Sequence, residues 1–162
     1  MRPFHQGDLD SLCGIYCVVN AVRLAAHPGL KIGESQSKGL IDHLVRAIGP
    51  KFVQVFADGT DDIPLLLRAA SQWLKQAYGR KLVVVRPFRQ KSQPSPGLIG
   101  STIAAHLDSP HTAVIISSTV HWSVVDRVTL KRLLLFDSSY HHFIPLEGQA
   151  PRTNPDKLVL AH

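Results

Sequence analysis

An α+β fold, with helices packed on one face of an antiparallel sheet, is what this 162-residue chain predicts, and three observations carry it. Apolar residues recur at helical spacing through the first half. The second half turns to β-branched and apolar runs divided by short polar connections. Helices first and strands second is the order of segregated layers rather than of alternating βα units. With 17.8 kDa of mass, 44% hydrophobic and 19% charged residues, residues 1–162 read as a single domain with an ordinary core.

The first helix starts near Leu12. Asp10 and Ser11 are residues that cap helices, and Ile15, Val18, Val19, Val22 and Leu24 form the stripe behind them, ending near Ala26-His27-Pro28-Gly29. Gly33 to Ile48 predicts a second helix through Leu40, Ile41, Leu44, Val45 and Ile48, stopped by Gly49-Pro50. Phe52 to Phe56 reads as a short strand or an irregular segment. Asp58 to Pro64 opens another helix with acidic residues at its start. Leu66, Ala69, Ala70, Trp73, Leu74 and Ala77 are its buried stripe, and Gly79 closes it. Trp73, at helical spacing, belongs to the core.

Lys81 to Arg86 reads as a strand, and the proline-punctuated stretch Pro87 to Gly97 as a surface connector. Leu98 to Leu107 predicts a short helix and Thr112 to Ser117 a strand. Val120 to Asp126 and Arg132 to Ser139 are two further strands, with Arg127 to Lys131 as the hairpin between them. Phe143 to Leu146 is a short strand, and Lys157 to Leu160 an edge strand or a trailing end.

A net charge of +6 and a pI near 9.6 favour an anionic partner weakly. Lys and Arg look scattered, apart from Arg86 to Lys91 and Lys131-Arg132, with no interleaved aromatics. A solvated surface is therefore expected rather than nucleic-acid binding. Two cysteines four residues apart on one helix do not suit a disulfide. The first residues lack an apolar signal core, and no run approaches the roughly 20 apolar residues of a membrane span. A cytoplasmic location is the expectation.

The chemistry-bearing residues are Cys13, His121 and Asp137. Cys13 falls in the first turn of the first helix, where unpaired N–H groups and the positive end of the helix dipole favour a thiolate. Gly14 leaves a substrate room beside the sulfur. The Cys13 N–H points at a developing oxyanion, and Gln6, upstream, could supply a second donor from its amide. Antiparallel pairing of the two strands after Ser117 places His121, early in one, beside Asp137, late in the next. A carboxylate on one imidazole nitrogen fixes the tautomer and turns the other nitrogen to a thiol. Trp122 shields that pair or packs in the core. Cys17, one turn beyond Cys13 and between apolar neighbours, is a core residue.

In this chain order, Gln6, Cys13-Gly14, His121-Trp122 and Asp137 resemble the papain-like cysteine peptidase superfamily: oxyanion-hole glutamine, nucleophile, base and orienting acid. Cys13-Gly-Ile-Tyr-Cys17 and His121-Trp-Ser-Val-Val-Asp126 look most like the bacteriocin-leader peptidase domains, which cut after a double glycine. Ser11-Leu12-Cys13, Cys17, Asn20 and His121-Trp122 are also similar to Josephin-type deubiquitinases, although Asp137 stands where that pattern carries Asn. The resemblance implies a papain-like fold with the nucleophile helix against the sheet. It further implies a thiol peptidase acting on a peptide or protein substrate with small, Gly-Gly-like residues at the cut, and no cofactor. The competing readings are a catalytically silent papain-like module that binds a peptide or leader segment, and a zinc site on Cys13, Cys17 and histidines, for which no second close-spaced pair is present.

Overall fold

The stripe of the first helix is buried from Ile15 to Val22, and Leu24 at its end is half-buried. In the computed structural model α1 spans Cys13–Ala26, and Ile15, Val18, Val19 and Val22 are at most 1% exposed. The structure describes residues 1–5, 11–60, 62–88, 94–117, 121–138 and 142–146, and the backbone of 159–161. α2 (Glu34–Ile48), α3 (Phe52–Asp58), α4 (Ile63–Tyr78) and α5 (Pro96–Leu107) complete the α-helices among them, with a short 3-10 turn at Gly49–Lys51 between α2 and α3.

Local chemistry explains the helix boundaries. Asp62 caps α4 by accepting from the Leu65 N–H, Pro64 occupies its first turn, and Gly79 ends it with a left-handed φ of 65° that a side chain would resist. α5 starts two residues before the expected Leu98, because Ser95 accepts from the Leu98 N–H and Pro96 is preset for a first turn.

Residues 52–58 are a helix, not the strand or irregular segment that Phe52 to Phe56 implied. The alternation in Phe-Val-Gln-Val-Phe reads equally at a spacing of three, and Phe52 and Val55 pack on the core while Val53 and Phe56 face outward. Gly59, at φ 81°, returns its N–H to Val55 and stops the helix.

The sheet is antiparallel throughout, in the order β1-β6-β2-β3-β4-β5. Its strands are β1 (Val84–Val85), β2 (Ala113–Ser117), β3 (Trp122–Val128), β4 (Arg132–Phe136), β5 (Phe143–Pro145) and β6 (Val159–Ala161). β1 covers only two residues of the expected Lys81 to Arg86, since the Leu82 N–H is spent on the Ser71 hydroxyl of α4 at 3.1 Å. β6 is not an edge strand: it lies between β1 and β2. The β3–β4 hairpin turns at Thr129, whose hydroxyl bonds the Arg132 backbone, and β3 bulges between Val125 and Arg127.

Helices cover both faces of the sheet rather than one. Ala113 and Ile115 of β2, with Trp122, Val124 and Phe136, join the core of α1, α2 and α4. Val114 and Ile116, with Val125 and Leu133, pack against Ile99 and Ile103 of α5 on the other side. β2 is buried at every position, which is the demand that a continuous apolar run makes and an alternating one does not. Among the described residues no helix is long and apolar enough to cross a membrane.

Candidate active site

Packing of α1 on β2 and β3 sets its first turn at the end of the sheet where β3 begins. Cys13 is the first residue of α1, half-buried, and stands within hydrogen-bond reach of His121, the residue that precedes β3. Asp137 follows β4, whose Phe136 pairs with Val124, and its carboxylate accepts from His121 Nε2 at 2.9 and 3.2 Å. Cys13, His121 and Asp137 thus meet as the spacing predicts. With Nε2 held by the carboxylate, the Cys13 contact falls to Nδ1.

Burial grades along this row. The Asp137 side chain is 1% exposed and that of His121 13%, so the pair works largely out of water. Burial by itself lowers the His121 pKa, but the hydrogen bonds to Asp137 and Cys13 and the charges behind them outweigh it and push it up to about 9. Burial likewise raises the Cys13 thiol. The His121 hydrogen bond, the Trp122 N–H, the His121 charge and the Gly14 N–H together bring it below its ordinary value. Each of these favours a thiolate–imidazolium pair.

The start of α1 serves the sulfur in a way the sequence did not disclose. Ser11 was expected to cap the helix, yet its hydroxyl donates to the Ala57 carbonyl at 3.0 Å and its N–H to Phe56, tying the approach to α3. Leu12 stands at the cap position and makes no side-chain cap bond. First-turn N–H groups therefore stay available to an anion, and the Gly14 N–H is turned to Cys13. Asp10 and the oxyanion candidate Gln6 lie outside the described residues, as does His141.

Gly14, expected to leave a substrate room, and Trp122, expected to shield the His121–Asp137 pair or pack in the core, both also serve the packing. A Cβ at Gly14 would meet Thr60 Cγ2 at 3.0 Å and both Ile63 Cδ1 and the Thr60 carbonyl at 3.3 Å, so close packing of Thr60 and Ile63 on α1 favours the glycine. Trp122 buries its ring in the core on the α1 side of the sheet and gives the site its backbone N–H. Cys17 is fully buried one turn below Cys13. Burial, then the charges of Asp137 and Cys13, push its thiol well up, which leaves it unreactive.

Asn20, two turns from Cys13 and fully buried, clamps the chain entering the site. Its Oδ1 accepts from the Phe4 N–H at 2.7 Å and its Nδ2 donates to the Phe4 carbonyl at 3.1 Å, while the Phe4 ring stacks on Tyr16. An Asn on the core face of an apolar helix was the available signal. Among the described residues no three His, Cys, Asp or Glu side chains converge on a point that would hold a metal ion. Comparison with family models, with curated proteins and with solved structures finds no match to this chain.

Proposed function

We propose that the chain is a thiol-dependent peptidase of the papain-like kind, cleaving a peptide or isopeptide bond through a thioester acyl-enzyme. One observation carries the proposal: a half-buried cysteine at a helix N-terminus bonded to an imidazole whose far nitrogen is held by a buried carboxylate. The core behind that row is filled from α1 by Ile15, Val18, Val19 and Val22, and Cys13 packs at its border.

The steps follow from the protonation states. The Cys13 thiolate attacks the carbonyl carbon, and the electron pair moves to oxygen, where first-turn N–H groups including that of Cys13 meet the charge. His121 gives its Nδ1 proton to the leaving amine as the C–N bond breaks and the thioester forms. The imidazole, now neutral with its remaining proton on Nε2 against Asp137, takes a proton from water at Nδ1. Hydroxide adds to the thioester, the carboxylic acid leaves, and the pair is restored. The likeness to double-glycine leader peptidases and to deubiquitinases favours substrates with small residues at the cut, which a narrow cleft admits.

Intact-protein mass after brief, limiting iodoacetamide at about pH 6 tests this, because an ordinary thiol with pKa near 8.5 reacts slowly there. Fast single labelling is expected, lost in Cys13→Ala, kept in Cys17→Ala and slowed in His121→Ala. Slow labelling that does not distinguish the two cysteines would refute the activated nucleophile and leave a silent peptide-binding module.

A further inference from the structure

The net charge of +6 is concentrated in one part of the chain: residues 63–107 hold seven Lys and Arg and no Asp or Glu. Five of the seven, Arg68, Lys75, Arg80, Lys81 and Arg86, fall in the described residues, and all five are exposed. The fold gathers what the sequence spreads out. Arg68, Lys75, Lys81 and Arg86 line a groove of about 550 Å³ between α4 and β1. Arg80 and Lys81 border an adjoining hollow of about 190 Å³ at the C-terminal end of α1, and Lys81 and Leu82 belong to both. Among the described residues neither lining contains an acid, and none of the five cations forms an ion pair.

Apolar surface runs beside the charge. Leu67 and Leu82 floor the groove, and Val84 and Val85 of β1, which ends the sheet and pairs on one side with β6, are 41% and 37% exposed, with Val83 just before them at 54%. An edge strand offers unpaired backbone groups to an extended chain. Among the described residues no aromatic ring lines the groove for bases to stack on, which disfavours single-stranded nucleic acid. The groove starts at Pro64, next to the Ile63 that packs on Gly14, and extends along α4 to Lys75.

We propose that this groove is a docking site for an acidic, extended polypeptide segment, and that such a segment of a protein substrate lies along α4 and β1 while the bond to be cut sits at Cys13. The word substrate rests on the peptidase reading; the docking itself does not. Arg68 and Lys75 are two helical turns apart, about 10 Å, and alternate residues of an extended chain share a face about 7 Å apart, so two or three acids on one face span both cations. Acids on alternate residues, with β-branched residues between them, are the chemistry the groove complements.

The test is fluorescence anisotropy on the Cys13→Ala protein, which binds without turning over. The probes are a short fluorescein-labelled peptide alternating Glu and Val, its Gln and Val counterpart, and a single-stranded DNA of equal charge. The Glu peptide is expected to bind roughly tenfold tighter than the Gln peptide, to weaken with salt, and to lose roughly tenfold in an Arg68→Glu, Lys75→Glu double variant with an unchanged unfolding midpoint. Equal binding of the two peptides, indifference to the charge reversal, or tighter binding of the DNA would overturn the proposal. Since no turnover is measured, failure here leaves the Cys13 labelling result standing, and failure of that labelling leaves this one standing.

Discussion

Asp137→Asn removes one negative charge from behind His121 and nearly preserves the shape of the site. The pKa of His121 rises from 6.5 to about 9 against the pull of burial, which at about 1.36 kcal/mol per pH unit favours the imidazolium by on the order of 3 kcal/mol. Asp137 is the foremost of the groups that raise it, with Cys13 second. Because the folded-state value lies above the unfolded one, this stabilisation is complete below about pH 6.5 and is lost as the pH climbs through about 9. The variant forgoes most of it. Ring-nitrogen NMR should then place the His121 titration in Asp137→Asn at least about one pH unit below wild type. Urea unfolding should show a stability gap of about 2–3 kcal/mol near pH 6 that narrows above pH 9. An unmoved titration midpoint, or a gap independent of pH, would refute the account of Asp137 as the group that keeps His121 charged.

Four further outcomes are expected. The pH profile of kcat/KM on a cleaved peptide should fall on the acid side as the Cys13 thiolate is protonated, below the ordinary thiol value, and on the alkaline side near 9 as His121 loses the proton it must donate; a profile flat through 9 would contradict this. Gly14→Ala should cost about 1–2 kcal/mol by urea unfolding despite the better helix propensity of Ala, because the new methyl meets Thr60 and Ile63. Asn20→Ala, which strips both partners from the Phe4 backbone, should cost about 2–3 kcal/mol and speed hydrogen exchange at the Phe4 amide. Cys17→Ser, which puts a hydroxyl into a fully buried position, should lower stability by about 1–3 kcal/mol while Cys13 still labels fast.

The helices were legible because their signals are local. The stripes of α1, α2 and α4 and the Gly79 stop depend on residues within a turn or two of one another, and they appear where the periodicity places them, except that Ala77, in the last turn of α4, is exposed. The His121–Asp137 pair was legible for a similar reason, since a hairpin brings its own arms together across a short connection. The segment Phe52 to Phe56 was misread because its apolar residues satisfy two periods, and packing of Phe52 and Val55 on the core chose between them.

Sequence alone determined α1, α2 and α4, the α+β class, and the three side chains whose chemistry fits together, because residue type and short-range spacing carry those. Only the tertiary structure decided the rest. It put β6 inside the sheet, where its backbone pairs with β1 and β2, and α5 on the second face, where β2 needed cover. It turned Ser11 away from the helix it was expected to cap, and set the Trp122 N–H and the Gly14 N–H on the Cys13 sulfur. It also drew cations spread from Arg68 to Arg86 into one groove. Each of these joins groups far apart in the chain, and such contacts are chosen by which surfaces can be buried together rather than by what any short stretch prefers.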